Sequence, residues 1–208
     1  LGNSIRIYAL IERLNRDNYK DTRFFIFADT VCTINYSKTL KGHGWIGLRF
    51  QRTPDEKPSD FILHVKLNDQ DAKLQQETVG IIGTNLLHAC FTQNDPKIIL
   101  KSLYDNLSKD QFEINMVEVV GPAFENIDNR LLSLTLVKER MTNAVIFTPD
   151  GVNQQPSDIL YKKNILTMRG SFRPVTKVNI DMLEKGLASF KENKKVDEKD
   201  IQILFEIT

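Results

Sequence analysis

The residues of this sequence best suited to bind an anion lie in one stretch, "RGSFRPVTKVNIDML" at 169–183, between a strand pattern and a helix pattern. Gly170 lets the backbone come close to a ligand, and Pro174 stiffens the loop. Arg169 and Arg173 offer bidentate contacts to a phosphate. Because backbone N–H groups at a helix start favour an anion, the pattern predicts a phosphate-binding loop. The alternative is an ordinary strand-to-helix turn with solvated charges.

A second group of polar residues lies in two loops of the preceding segment. The order strand, helix, strand over 112–148 predicts a parallel βαβ unit. Loops that leave the carboxyl ends of parallel strands form the edge where α/β sheets bind ligands. A helix N-cap at Asn126 or Asp128, and a simple turn at "PDG", remain the alternatives. The secondary candidates are Asp128, Asn129, Arg130 and Asp150.

The histidines and cysteines give weaker indications. His43, His64 and His88 are typical of lone structural histidines, and no HxxxH or HExxH spacing links them. We therefore predict no metal site. The two cysteines, Cys32 and Cys90, are too few for a disulfide framework. We expect both to be unpaired, buried thiols in a reducing compartment, which favours a cytoplasmic location.

Composition limits the classes of partner. The 208 residues are 41% hydrophobic and 26% charged, which is typical of a globular protein. The 28 basic and 27 acidic residues leave a net charge of +1, so no general attraction to nucleic acid or acidic lipid follows. No run approaches the ~18 apolar residues of a spanning helix, and no signal-peptide pattern is visible. We expect no nucleic-acid or membrane partner, and any anion site must be local.

The N-terminal half carries an antiparallel pattern. An apolar helical pattern begins the chain, and the strands that follow are joined without helices. A helix is predicted over 71–91, where Gly80 and Gly83 are costly, so we expect them to allow close approach of a neighbouring backbone. The strands are predicted at 23–31, 44–51 and 61–67.

The C-terminal half alternates helices and strands. These elements predict two βαβ units, near 113–148 and 164–207, and hence an α/β fold with a mixed or parallel sheet after an antiparallel α+β region. The predicted domains are 1–110 and 111–208. Because the last strand runs to the chain end, we expect a fragment of a longer protein. Helices are predicted at 96–108 and 127–140, and strands at 112–121, 143–148, 159–169 and 201–208.

The loop "GSFRPVT" resembles a known phosphate loop. It is similar to the GxFxPxT or GxFxPxH loop of nucleotidylyltransferases, and closest to the GSF-x-P-[IV]-T form of nicotinamide and nicotinate mononucleotide adenylyltransferases. In that family the loop follows the first strand of a Rossmann-like fold and cradles the ATP triphosphate while the mononucleotide phosphate attacks the α-phosphorus. The resemblance covers 164–208. It implies nucleotide contacts by Gly170, Ser171, Phe172 and Pro174, with Arg169 and Arg173 beside them.

The same resemblance implies catalytic roles for two residues. Thr176 stands where many bacterial members have a first histidine, and Asn179 stands where the family has its second. Asn179 departs from the pattern because asparagine cannot offer a cationic donor to developing charge. The family's downstream ISxxR-type segment is absent, so we expect this stretch to be inactive alone. Two interpretations stay open: an enzyme that transfers AMP in NAD synthesis, and a non-catalytic phosphate-binding or interaction module.

A second resemblance covers more of the chain. "HGWIGLRFQ", "DNRLLSLTLVK" and "QPSDILYKKNIL" together resemble a poorly characterised bacterial family of nearly twice this length. Its members are catalogued as nicotinate-nucleotide adenylyltransferase or as TonB-dependent receptor. The receptor label requires a signal peptide and many alternating strands of ~10 residues, and the sequence shows neither pattern. The enzyme label implies ATP with Mg²⁺ as a substrate complex, no tightly bound cofactor, and a nucleotide or other phosphate-bearing small molecule as ligand.

Overall fold

A computed structural model describes residues 23–193 and 195–207. The chain divides into two compact units, with the boundary between Gln154 and Gln155. The predicted boundary at 110/111 differs, because the strand Phe112–Val120 belongs to the same sheet as the strands before it. The predicted helix at the start of the chain lies outside the described residues.

The first unit is built on a four-stranded antiparallel sheet whose strands lie in their order along the chain. The predicted antiparallel region is confirmed, and each strand lies beside its neighbour in sequence. Between β3 and β4 the chain forms two helices, whose N-caps are Asp71 and Asp95. The strands are β1 (Phe25–Cys32), β2 (Gly42–Phe50), β3 (Ser59–Leu67) and β4 (Phe112–Val120).

One face of this sheet carries the core. In β2, Ile46, Leu48 and Phe50 are buried while His43 and Trp45 on the other face are exposed, as strand alternation requires. Burying such side chains contributes about 1.5–3 kcal/mol each. The helices α1 (Ala72–Thr92), α2 (Pro96–Ser102) and α3 (Asn129–Lys138) supply the other side of the core. The helix α2 ends at Ser102, six residues before the predicted end at 108.

The two glycines of α1 have different surroundings. A Cβ at Gly83 would lie 2.8 Å from Phe27 Cζ, so this glycine makes room for a ring of β1. A Cβ at Gly80 would meet nothing within 4 Å. The predicted close approach therefore holds for Gly83, against a side chain rather than a backbone, and is wrong for Gly80.

The first predicted βαβ unit is wrong. β4 pairs antiparallel with β3, and the return strand β5 (Ile146–Phe147) has only two residues. It pairs antiparallel with β6 (Asn153–Gln154) in a separate hairpin. The turn "TPDGV" closes that hairpin with Gly151 at φ +86°, a conformation that glycine adopts at little cost. The order strand, helix, strand is compatible with parallel or antiparallel pairing. Here the tight turn at Gly151 reverses the chain and favours the antiparallel hairpin.

The second βαβ unit is confirmed. The strands β7 (Asn164–Gly170) and β8 (Ile201–Ile207) pair in parallel, from Asn164 with Ile201 to Gly170 with Ile207. The strand predicted from 159 begins five residues later, because Pro156 starts a short helix. In the described residues, parallel pairing is confined to these two strands, so a larger Rossmann-like sheet remains a proposal. The elements are α4 (Pro156–Leu160), β7 (Asn164–Gly170), α5 (Lys177–Lys191) and β8 (Ile201–Ile207).

None of the helices in the described part of the chain combines the length and apolar character needed to cross a bilayer. The helix α1, with 21 residues, is the longest described, and its sequence includes Lys73, Gln75, Gln76 and Glu77.

Candidate functional site

The loop singled out from the sequence connects β7 to α5. It leaves the carboxyl end of β7 at Gly170, runs over 171–176, and enters the helix at Lys177. The predicted strand–loop–helix order is therefore confirmed, and the helix begins two residues earlier than Asn179. This end of a parallel strand is where α/β structures place ligands.

Thr176 and Asn179 are brought together by the helix start. The Asn179 amide N–H donates to Thr176 Oγ1 (3.3 Å), and the Thr176 amide N–H donates to Asn179 Oδ1 (2.9 Å). The Thr176 hydroxyl also lies 2.8 Å from that same oxygen. The pair forms a reciprocal capping box, with asparagine in the place of the usual Glu or Gln. Both residues proposed for chemistry thus already stabilise the helix terminus.

The first turn of α5 presents amides toward the loop. Ile180 N–H donates the first intrahelical bond, to the Thr176 carbonyl (3.2 Å). The backbone N–H groups of Lys177 and Val178 come before Ile180, so they have no acceptor within the helix and point out of its N-terminal end. A helix N-terminus carries roughly half a positive charge. Arg173 and Lys177 are both exposed beside it, so the local charge is positive although the chain is almost neutral.

Phe172 fixes the shape of the loop. Its φ is +49°, a left-handed conformation that is uncommon for a bulky residue. Its ring stands edge-on to Phe205 of β8, with centroids 5.2 Å apart and an interplanar angle of 80°. A Cβ at Gly170 would lie 3.3 Å from Phe172 Cζ. In this structure the glycine therefore makes room for the aromatic ring, whereas the sequence suggested room for a ligand.

The two arginines of the loop differ in their surroundings. Arg169 Nη2 lies 2.7 Å from Glu206 Oε1, and the two residues are register partners on β7 and β8. The hydrogen bond to the Glu206 carboxylate raises the pKa of Arg169 above its usual value. Both side chains are substantially exposed, and exposed pairs contribute about 0–1 kcal/mol, so a phosphate can compete for this guanidinium. Arg173 is exposed within the loop itself.

Asn129, a secondary candidate, hydrogen-bonds the backbone near the end of β4. Its side-chain amide donates to the Val119 carbonyl (3.0 Å), and its Oδ1 accepts from the Val119 amide (2.8 Å). The Asn129 side chain thus hydrogen-bonds Val119 as a neighbouring strand would, and Asn129 is itself the first residue of α3. The functional groups of this side chain are therefore occupied by the backbone.

The other secondary candidates lie at the start of α3 and in the turn of the β5–β6 hairpin. Asp128 is the N-cap and forms an ion pair with Arg130 (2.8 Å). The hydrogen bond from the Arg130 side chain lowers the pKa of Asp128 to about 2. A Cβ at Gly151 would lie 2.9 Å from Arg130 Cδ, so this arginine lies against the turn that carries Asp150. A hydrogen bond from Thr148 lowers the pKa of Asp150.

These contacts show the secondary candidates to be a helix cap and a turn, the alternatives considered above. The reason for selecting them, a shared edge of parallel strands, is wrong because β4 and β5 are not parallel neighbours. The structure nevertheless places Arg130 and the 148–152 turn side by side. Periodicity could not have revealed this contact, since it depends on how the hairpin folds back.

Two histidines that were not predicted to interact, His43 and His64, lie side by side on the sheet. His43 Nδ1 lies 3.4 Å from His64 Nε2, and His64 Nδ1 lies 2.6 Å from Asn115 Oδ1. His64 and Asn115 are buried on the face opposite the core, while His43 is exposed. Only His64 lies on a predicted strand (61–67); His43 directly precedes the predicted strand 44–51, so the sequence did not place the two side by side. The pairing register, which the sequence does not give, brings their rings together.

His88 and Cys90 lie on α1, whereas Cys32 of β1 is the register partner of His43. His88 is exposed on α1. Both thiols are free; Cys90 is buried as expected, but Cys32 is exposed, so its predicted burial is wrong. Among the described residues, no group of three or more His, Cys, Asp or Glu side chains is placed to hold a metal ion.

An open depression of about 570 Å³ also lies in the first unit. It is open to solvent, and none of the site residues predicted from the sequence lines it. One acidic side chain and two amides do not converge on a defined ligand, so no function is assigned to it. Its lining is Glu77, Gly80, Ile81, Thr84, Asn85 and Asn106.

Comparison of the chain with protein-family models, with curated proteins and with solved structures gives no match. The likeness to mononucleotide adenylyltransferases therefore depends on the "GSFRPVT" residues and their structural setting alone.

Proposed function

We propose that the second unit is the phosphate-binding start of a nucleotidyltransferase-like protein, with ATP and a nicotinate or nicotinamide mononucleotide as substrates. One observation carries the proposal: the "GSFRPVT" loop leaves the carboxyl end of a parallel strand and opens a capped helix. That setting is the one in which the resembled family holds a triphosphate. Mg²⁺ would arrive with ATP, and the proposed location is the cytoplasm.

Each part of the loop has a role in this proposal. The amides of Lys177 and Val178 receive phosphate oxygens at the helix end, where the dipole favours negative charge. Arg173 adds a charged donor from the loop, and Arg169 exchanges its Glu206 partner for the phosphate. Ser171 and Pro174 line the path between them, and the Phe172 ring keeps the loop in place.

A second candidate is a module that binds the phosphate group without catalysing transfer. The capping box favours it, because Thr176 and Asn179 already hydrogen-bond each other and the helix backbone. Asparagine also lacks the positive charge that would stabilise a leaving pyrophosphate. On this interpretation the loop keeps affinity for a nucleotide or phosphate, and no AMP is transferred.

Binding of ATP and of nicotinate mononucleotide to the intact protein, measured by calorimetry, tests the shared part of both candidates. Arg173→Ala should weaken binding by roughly 10- to 150-fold, the loss of one charged hydrogen bond. Glu206→Gln should strengthen binding, because it releases Arg169 from its carboxylate partner. Lys185→Ala removes the same charge from the outer face of α5, where the lysine pairs with Asp181, and should leave binding unchanged. Equal affinities in all four proteins would reduce the loop to a turn.

Pyrophosphate release from the same mixtures separates the two candidates. The enzyme predicts turnover by the parent and a faster rate for Asn179→His, which restores the cationic donor of the resembled family. The binding module predicts ligand affinity with no pyrophosphate release from either protein.

A further inference from the structure

The pair of histidines on the outer face of the first unit's sheet has a geometry suited to metal chelation. The Nδ1 of His43 and the Nε2 of His64 are 3.4 Å apart. Protein N–H hydrogen bonds usually span 2.7–3.2 Å, so this separation is long for a direct bond. Two nitrogens bound to one tetrahedral Zn²⁺ at about 2.05 Å are roughly 3.3–3.4 Å apart. The observed distance fits shared coordination better than a hydrogen bond.

The buried partner of His64 prepares its ring for that role. Asn115 Oδ1 lies 2.6 Å from His64 Nδ1, and an amide oxygen accepts only from a protonated nitrogen. The proton of neutral His64 therefore sits on Nδ1, and Nε2 is the ring atom that carries a lone pair. That atom is the one facing His43. Metal-ligating histidines commonly have such an acceptor behind the ring, which fixes both tautomer and orientation.

The sheet itself supplies this acceptor through an irregularity. The register between β3 and β4 shifts at His64/Val65, so that His64 pairs with Met116 and Val65 pairs with Ile114. Asn115 is the extra residue of this bulge, and bulges redirect side chains. Trp45 packs edge-on to the His64 ring, with centroids 4.9 Å apart, and holds its plane. The ring of His43 is exposed, whereas that of His64 is buried.

We propose that His43 Nδ1 and His64 Nε2 bind a late first-row divalent ion, with Zn²⁺ as the representative. Two imidazoles suit Zn²⁺, Cu²⁺ and Ni²⁺, and water molecules complete the coordination. The proposal revises the expectation of no metal site, which was based on spacing along the chain. It is independent of the phosphate loop, because every residue involved belongs to the first unit. Lys66, the register partner of His43, pairs with Glu113 (3.4 Å).

The test uses the fact that the chain has three histidines. The intact protein carries Cys32→Ser, so that the exposed thiol contributes no binding, and is titrated with Zn²⁺ by calorimetry. One equivalent should bind, and the imidazole NMR signals of His43 and His64 should shift while those of His88 stay fixed. His43→Ala should weaken binding at least tenfold, and His88→Ala should bind as the parent does.

Because His43 is exposed, His43→Ala should keep its fold, and circular dichroism checks this. Asn115→Ala removes the acceptor behind His64 and should weaken binding by roughly 10- to 100-fold. The proposal is overturned if the parent retains no Zn²⁺. It is overturned equally if His43→Ala and His88→Ala bind alike, or if the His88 signals shift as much as the other two.

Discussion

At the scale of single residues, Phe172 decides how the phosphate loop is held. Phe172 has a strained backbone at φ +49°, and the contact between its ring and Phe205 offsets this strain. Phe172→Ala and Phe172→Gly both lose the ring, but only glycine relieves the left-handed conformation. We expect Phe172→Ala to be less stable than Phe172→Gly by about 1 kcal/mol.

Native-state hydrogen exchange of the β7 and β8 amides measures this difference. The single tryptophan, Trp45, lies in the other unit and would not report it. Identical exchange in the two variants would mean that the left-handed conformation at residue 172 costs no free energy, and the strain attributed to it would be wrong.

The two thiols should differ in reactivity. Burial raises the pKa of the Cys90 thiol to about 12, so at pH 8 almost none of it is thiolate, the reactive form. Cys32 is exposed. We expect a thiol reagent at pH 8 to modify one cysteine of the native protein, Cys32, and both after denaturation. Peptide mapping identifies the modified site, and rapid native labelling of Cys90 would contradict its burial.

Residues with reactive side chains can serve structure instead. Thr176, Asn179, Asp128 and Asn129 each have the chemistry of a site residue, and each caps a helix or satisfies a strand end. Local rules for helix starts predict such roles from spacing. Whether a second role exists must be measured by binding, since the capping geometry neither requires nor forbids a ligand.

At the scale of secondary structure, α1 offers a matched pair of glycines. Each glycine lowers the stability of the helix relative to alanine. Gly80 faces open space, whereas Gly83 faces the Phe27 ring. Gly80→Ala should stabilise the first unit by about 1 kcal/mol. Gly83→Ala should gain about 1 kcal/mol less, because the ring must move to admit a Cβ. Urea unfolding followed by Trp45 fluorescence measures both, and equal shifts would contradict the contact.

The hairpin that replaced the predicted parallel strand illustrates a limit at the same scale. Periodicity identified a strand near 143–148, and it exists, but with two residues. Its partner is set by the glycine turn at 148–152, which reverses the chain at once. A crossover to a parallel neighbour requires a longer path.

At the scale of the whole molecule, the two units differ in how much they bury. Among the described residues, the buried hydrophobic side chains all lie between Ile46 and Met141, and none of the second unit's residues is buried. Apolar side chains on α5 and β8, such as Ile180, Met182 and Phe205, are about half exposed. A unit without a core gains little from the hydrophobic effect.

We therefore expect hydrogen exchange to distinguish the two sheets. Amides of β2, β3 and β4 should exchange through global opening, while those of β7 and β8 should exchange much faster through local opening. Mass spectrometry of peptic peptides measures this in one experiment. Comparable protection in both sheets would show that the second unit is stabilised by contacts that its own burial does not reveal.

The sequence by itself determined the local elements and their chemistry. Alternation in "GWIGLRFQ" and "FILHVKL" predicted strands of one sheet, and the strand–loop–helix order around "GSFRPVT" predicted the parallel pair, both confirmed. These features depend on residues close in sequence, where side-chain period and turn chemistry act directly.

Only the tertiary structure decided which distant residues meet. The His43–His64–Asn115 row depends on strand register and on a bulge, and a shift of one residue would turn these side chains to the other face. The Arg169–Glu206 pair likewise depends on how two strands 37 residues apart align. Register is fixed by the packing of a whole sheet against its helices, and no local pattern carries that information.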